Sequence, residues 1–150
     1  MYAYQKFGVV PDVVTSAKAM GCGIPVGAFM ASKKVCDVLV AGDHGTTYGG
    51  NPLACAAIST VFDLFEKNNI TDNVKEVGQY LYDRLEEIRV NHPEIIDHRG
   101  IGFIQGLEFT NPVGPIVAKL LEEGVITFTA GTNVIRFIPP LIATKAHVDE

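Results

Sequence analysis

The strongest constraint in this 150-residue chain is a polar, glycine-rich loop that runs straight into a helix start. Gly42-Asp43-His44-Gly45-Thr46-Thr47-Tyr48-Gly49-Gly50 has no apolar periodicity, and Asn51-Pro52 follows at once. Asn is a strong N-cap and Pro suits the first helical position, so a helix begins here. Ile58, Val61, Phe62 and Phe65 continue it at helical spacing. Its first turn, Ala54-Cys55-Ala56-Ala57, is made of small residues, so another segment is expected to pack closely there. Upstream, Asp12-Val13-Val14-Thr15 reads as a short buried strand and Val26 to Ala31 as a second. The turn-rich Gly21-Cys22-Gly23-Ile24-Pro25 lies between them. Ser32 can cap a short helix through about Leu39. The first half is therefore α/β-like.

The chain changes character near residue 70. Asn68-Asn69 interrupts the helix, and a charged amphipathic helix follows from about Asp72 to Val90. Val74, Val77, Leu81, Leu85 and Ile88 form its apolar stripe, and His92-Pro93 stops it. Ile101 to Phe109 reads as a strand. Pro115 to Gly124 reads as a helix with Pro at its start and Gly after its end. Val125–Thr129 and Val134–Ile138 read as a β-hairpin about Ala130-Gly131-Thr132-Asn133. The second half reads α-β-α-β-β, with no internal repeat.

Composition excludes several classes of function. Apolar residues at 47% and charged residues at 19% do not describe a disordered tail. That charged fraction is below the roughly 25% usual for soluble domains, which implies a surface buried against something else. A net charge of −5 with no basic run argues against nucleic acid. Apolar stretches are broken well before the ~18 residues of a membrane helix, and the N-terminus lacks a signal peptide's apolar core. Cys22, Cys36 and Cys55 are odd in number, without a CxxC or clustered histidines. They read as reduced, buried or half-buried thiols of a cytoplasmic protein, and no metal site is expected.

Three places can carry chemistry. Lys18 follows a strand among small residues, Thr15-Ser16-Ala17-Lys18-Ala19-Met20-Gly21, which leave room for a cofactor or substrate beside an amine that can act as nucleophile or base. A solvated surface lysine fits the same residues. Thr15-x-x-Lys18 has the spacing of a hydroxyl–lysine acyl-transfer pair but lacks that motif's companions. The Gly45–Asn51 loop offers backbone N–H groups and the Thr46 and Thr47 hydroxyls ahead of a helix N-terminus. It reads either as a phosphate cradle or as a structural loop, and it is neither a Walker loop nor a Rossmann fingerprint. Arg136 is one charge inside the apolar strand Val134-Ile135-Arg136-Phe137-Ile138. It implies a carboxylate or phosphate partner, an internal salt bridge, or an edge strand facing water. His44, His92, His98 and His147 are scattered and read as surface or turn residues.

Together these segments resemble a known family. Pro11 to Gly21 followed by Gly23-Ile24-Pro25-Val26-Gly27-Ala28 is similar to the cofactor-lysine segment of class III (ornithine-type) aminotransferases. His44-Gly45-Thr46-Thr47-Tyr48-Gly49-Gly50-Asn51-Pro52-Leu53-Ala54 is similar to that family's phosphate-contacting loop. Asn133 to Leu141 resembles its carboxylate-binding strand, and Arg99-Gly100-x-Gly102 its small-domain entry. The motifs lie in the family's order across nearly the whole chain, and the loop and strand are most similar to the acetylornithine branch.

The resemblance implies the C-terminal part of an α/β, fold-type I transferase that uses pyridoxal 5'-phosphate. Residues 1–66 would be the end of the large cofactor domain and 67–150 a small α+β domain. Lys18 would hold the cofactor as a Schiff base and move a proton between the substrate α-carbon and cofactor C4′. Thr47, with Thr46 beside it, would donate to the cofactor phosphate of a neighbouring subunit, which implies a homodimer. Arg136 would clamp the substrate α-carboxylate. The implied reaction moves an amino group from N-acetylornithine or a related ω-amino donor to 2-oxoglutarate, in cytoplasmic arginine biosynthesis. The family's Asp-Glu-Val-Gln segment, whose acid pairs with the pyridine nitrogen, has no counterpart here, nor do its upstream glycine-rich turn and ring-stacking aromatic. The expectation is therefore a fragment with little or no activity alone. The alternative is a non-catalytic remnant or interaction module of the same fold.

Overall fold

A computed structural model describes residues 1–150 and resolves them into two compact units, Met1–Asn68 and Asn69–Glu150. No helix is long and apolar enough to cross a membrane.

The first unit opens with a single helical turn, α1 (Ala3–Lys6), and a two-stranded antiparallel ladder of β1 (Val13–Ser16) and β2 (Ala28–Ala31). Thr15 pairs with Phe29 and Ser16 with Ala28. A 3-10 turn over Lys18–Gly21 leaves β1. The expected burial of β1 does not hold: Val13 is about half exposed, because only β2 pairs with it and alternate residues face out. Helix α2 is shorter than expected, Lys33–Cys36. Ser32 stands at its N-cap, but its hydroxyl donates to Asp12 Oδ1 at 2.9 Å, tying the end of β2 back to β1 rather than capping the helix. Helix α3 spans Pro52–Lys67. The three thiols are free and exposed, against the expectation of burial.

In the second unit, α4 (Ile70–Asn91) begins after Asn69, whose left-handed φ of 49° supplies the break expected at Asn68-Asn69. The sheet is antiparallel, in the order β3-β4-β6-β5, from β3 (Ile95–Ile101), β4 (Ile104–Phe109), β5 (Phe128–Ala130) and β6 (Val134–Phe137). The single strand expected from Ile101 to Phe109 is corrected to a hairpin. Gly102, at φ 54°, and Phe103 form its two-residue turn, with Gly at the position that needs positive φ. Helix α5 (Gly114–Glu122) precedes β5, and α6 (Lys145–Asp149) closes the chain.

One face of this sheet is packed. Val77, Leu81 and Leu85 of α4 meet Ile95, Leu107 and Ile135 of the strands, with Phe103 and Val113 also buried. Each such side chain contributes roughly 1.5–3 kcal/mol relative to exposure. The expected stripe holds at Val77, Leu81 and Leu85 and, half-buried, at Val74, whereas Ile88 is about half exposed and Ile70 is buried as well. The opposite face of the sheet, carrying Asp97, Arg99, Glu108 and Arg136, is left free of this core.

Candidate active site

Lys18 is placed by backbone shape. Ala17 is fully extended (φ −156°, ψ −158°), and Lys18 then enters the left-handed region at φ 55°. For a lysine this conformation costs roughly 1–2 kcal/mol, and such outliers gather at functional sites. The turn it starts is tight, since a Cβ on buried Gly21 would lie 2.6 Å from Val26 Cγ1. Helix α3 packs against this turn, and Ala54 in its first turn is buried, as the small residues there imply. The Lys18 side chain is exposed, with no hydrogen bond or ion pair.

The Gly42–Gly50 segment forms no helix or strand and is exposed throughout. Asp43 Oδ2 accepts from Val40 N at 2.9 Å at its front. Asn51 closes its back: Oδ1 accepts from Ala54 N and Nδ2 donates to the Tyr48 carbonyl, both at 2.9 Å. Asn51 and Pro52 thus cap α3 as the sequence requires. The His44 ring stands edge-on to Phe29 of β2, with centroids 5.8 Å apart, which joins the loop to the ladder that delivers Lys18. Gly49 lies against Thr46, where a Cβ would come within 2.1 Å of Thr46 Cγ2. The Thr46 and Thr47 hydroxyls are exposed and make no hydrogen bond to the protein, nor to Lys18. By donor chemistry, an amine without a partner suits a cofactor aldehyde, and two hydroxyls without partners suit a cofactor phosphate.

Arg136 lies in the second unit. Its strand is flanked on both sides, by β4 and β5, so it is not an edge strand. Arg136 sits opposite Gly106 and Phe128, is exposed on the outer face, and makes no side-chain hydrogen bond or ion pair. The salt-bridge reading and the edge position both fall, while the expectation that this arginine faces water holds.

Sequence reasoning missed two polar networks here. Arg99 Nη1 donates to Asp97 Oδ2 at 2.5 Å and to Glu108 Oε2 at 2.6 Å on the outer face. On the inner face, His98 is buried rather than on the surface. Its Nδ1 lies 2.7 Å from Glu86 Oε1 and its Nε2 3.2 Å from Gln105 Oε1, and Tyr82 stacks on the ring. Gln105 Nε2 donates to the Gly102 carbonyl at 2.7 Å. Gly100, opposite Gln105, leaves the space that this amide fills. The Arg89 guanidinium and, next, His98 hold the Glu86 carboxyl below the usual range, against the raising effect of burial.

Comparison with known proteins agrees along the entire chain. The family profile for aminotransferase class III matches residues 1–150. Acetylornithine aminotransferase of Clostridium acetobutylicum is 45% identical over all of this chain and 39% of its own length. The enzyme of that name from Thermosynechococcus vestitus is 43% identical over 99% of this chain and 37% of its own. Plasmodium falciparum ornithine delta-aminotransferase superposes with a TM-score of 0.89 at 34% identity, over 97% of this chain and 38% of that one. Acetylornithine aminotransferase from Elizabethkingia anophelis gives 0.90 at 28% identity, over 97% of this chain and 38% of that one. The chain thus spans about two fifths of the length of the relatives it matches. By its motifs, its mixed α/β fold and these likenesses, the chain belongs to the class-III aminotransferases.

Proposed function

We propose that this chain carries the lysine, phosphate-loop and carboxylate-clamp segments of a pyridoxal-phosphate-dependent aminotransferase. We further propose that the enzyme takes its amino group from N-acetylornithine or a related ω-amino donor and passes it to 2-oxoglutarate, in cytoplasmic arginine biosynthesis. The observation that carries this reading is Lys18, a non-glycine residue at φ 55° at the end of β1, with an exposed, unpaired amine. The first unit would belong to the cofactor domain and the second would be the small domain.

When bound, pyridoxal phosphate supplies the electron sink that makes the substrate α-hydrogen removable. Lys18 would hold the cofactor through its amine and then, once released by substrate, carry the proton between the α-carbon and C4′. The left-handed backbone at Lys18 is a conformation that costs a lysine energy, and outliers of this kind gather at functional sites. Thr46 and Thr47 would donate to the cofactor phosphate. That charge-assisted contact is stronger than one between neutral groups, and we assign it across the subunits of a homodimer. Arg136 would take the α-carboxylate through both arms of its guanidinium, a planar two-bond grip that a lysine cannot make. Likeness to acetylornithine enzymes, such as the one at 45% identity, supports the choice of donor.

The test is to add pyridoxal phosphate to the 150-residue chain, reduce with borohydride, and map the adduct by peptide mass. Lys18 is expected to take most of the label, and Lys18→Ala to remove it. Label spread evenly over the lysines, unchanged by Lys18→Ala, would overturn the reading.

A further inference from the structure

The outer face of the second sheet holds two carboxylates and two guanidiniums, and their pairing is uneven. Strand register sets Arg99, Gly106 and Arg136 in one row across β3, β4 and β6, and Asp97, Glu108 and Val134 in the next. Glu108 is therefore a diagonal neighbour of Arg136 on the adjacent strand. Such positions are ~7–8 Å apart at Cβ, within reach of long side chains. Arg99 stands in the same diagonal relation to Glu108 from the other side, so either arginine could take this carboxylate. The structure gives Glu108 to Arg99: Nη1 donates to Glu108 Oε2 at 2.6 Å and to Asp97 Oδ2 at 2.5 Å. Both carboxylates of the face are engaged by one guanidinium, and they hold it more firmly protonated, Glu108 first and Asp97 second. Gly106, between the two arginines, adds no side chain that could engage either. Arg136 is left exposed and unpaired.

We propose that Arg99 is a positioning residue: by engaging Asp97 and Glu108 it keeps the Arg136 guanidinium free for the carboxylate of an incoming amino acid or 2-oxo acid. The inference rests on the reading of Arg136 as the carboxylate clamp. Without Arg99, Glu108 would fall to Arg136 and compete with every external carboxylate. An exposed pair of this kind is weak, so the competition would lower the free Arg136 population roughly twofold to fivefold rather than abolish it.

Arginine modification by phenylglyoxal, followed at each site by peptide mass in the full chain, reads this directly and needs no turnover. In the wild-type chain Arg136 is expected to react faster than Arg99 by roughly twofold to fivefold, since one is free and the other paired. Arg99→Gln is expected to slow Arg136 by a similar factor, and Arg99→Gln with Glu108→Gln to restore it. Equal rates for the two arginines in the wild-type chain would overturn the proposal even if the variants fail to fold. So would an unchanged Arg136 in Arg99→Gln, or a slowing that Glu108→Gln leaves in place. The clamp is tested separately: 2-oxoglutarate is expected to protect wild-type Arg136. Failure to protect, with the Arg99 effect intact, overturns the clamp and the purpose assigned to Arg99, while the pairing itself stands.

Discussion

Gly78 sits in the middle of α4, where helix propensity alone favours alanine by about 1 kcal/mol. Packing argues the other way. A Cβ at Gly78 would lie 2.7 Å from both Gly102 C and Gly102 Cα and 2.9 Å from the Gly102 carbonyl oxygen. These are backbone atoms, so no side-chain rotation relieves the contact. The backbone in question is the β3–β4 turn, held at φ 54° at Gly102 and anchored by Phe103, which is 2% exposed. The same Gly102 carbonyl accepts the 2.7 Å hydrogen bond from Gln105 Nε2, in the network around His98. Overpacking of this kind costs roughly 1–3 kcal/mol, and loosening one buried hydrogen bond adds about 0.5–1.5 kcal/mol. These outweigh the propensity gain, so Gly78→Ala is expected to destabilise the chain by roughly 1–3 kcal/mol. At about 2–4 °C per kcal/mol for a chain of this length, the thermal midpoint falls by several degrees. Urea titration and thermal melting followed by circular dichroism measure both quantities. A Gly78→Ala chain as stable as wild type, or more stable by the propensity increment, would refute the close approach of α4 to the turn.

Two further outcomes follow from side chains at the ends of elements. Asn51→Ala removes both the acceptor for Ala54 N and the donor to the Tyr48 carbonyl, so it should cost about 1 kcal/mol by urea denaturation and speed proteolysis within Gly42–Gly50; unchanged cleavage there would separate the cap from the loop. Glu86 is held below its ordinary value in the folded chain, mainly by Arg89 and next by His98. Its contribution is therefore complete above the unfolded carboxylate value, about pH 4.3, and fades as pH falls through the lowered folded value. The gap in urea midpoint between wild type and Glu86→Gln should accordingly be widest near neutral pH and close in acid, and a gap constant from pH 7 to pH 3 would contradict the assignment.

Local chemistry was readable in the sequence, and tertiary chemistry was not. The start of α3 is readable because Asn51 bonds a backbone N–H three residues away and Pro52 needs only its own φ. The break before α4 and the β5–β6 hairpin are equally local. Strand β3 is missed because Asp97-His98-Arg99-Gly100 looks polar throughout. The structure makes it alternate, since His98 turns inward to a carboxylate twelve positions back and Arg99 outward to one nine positions on. The side chains with the expected chemistry share a property that no spacing shows. Lys18, Thr46, Thr47 and Arg136 each end without a protein partner, while Asp97, Arg99, Glu108, Glu86 and His98 are all paired. At Arg136 that freedom depends on how neighbouring strands distribute their charges, which is why its residue type could suggest a clamp while three readings of its surroundings stayed open.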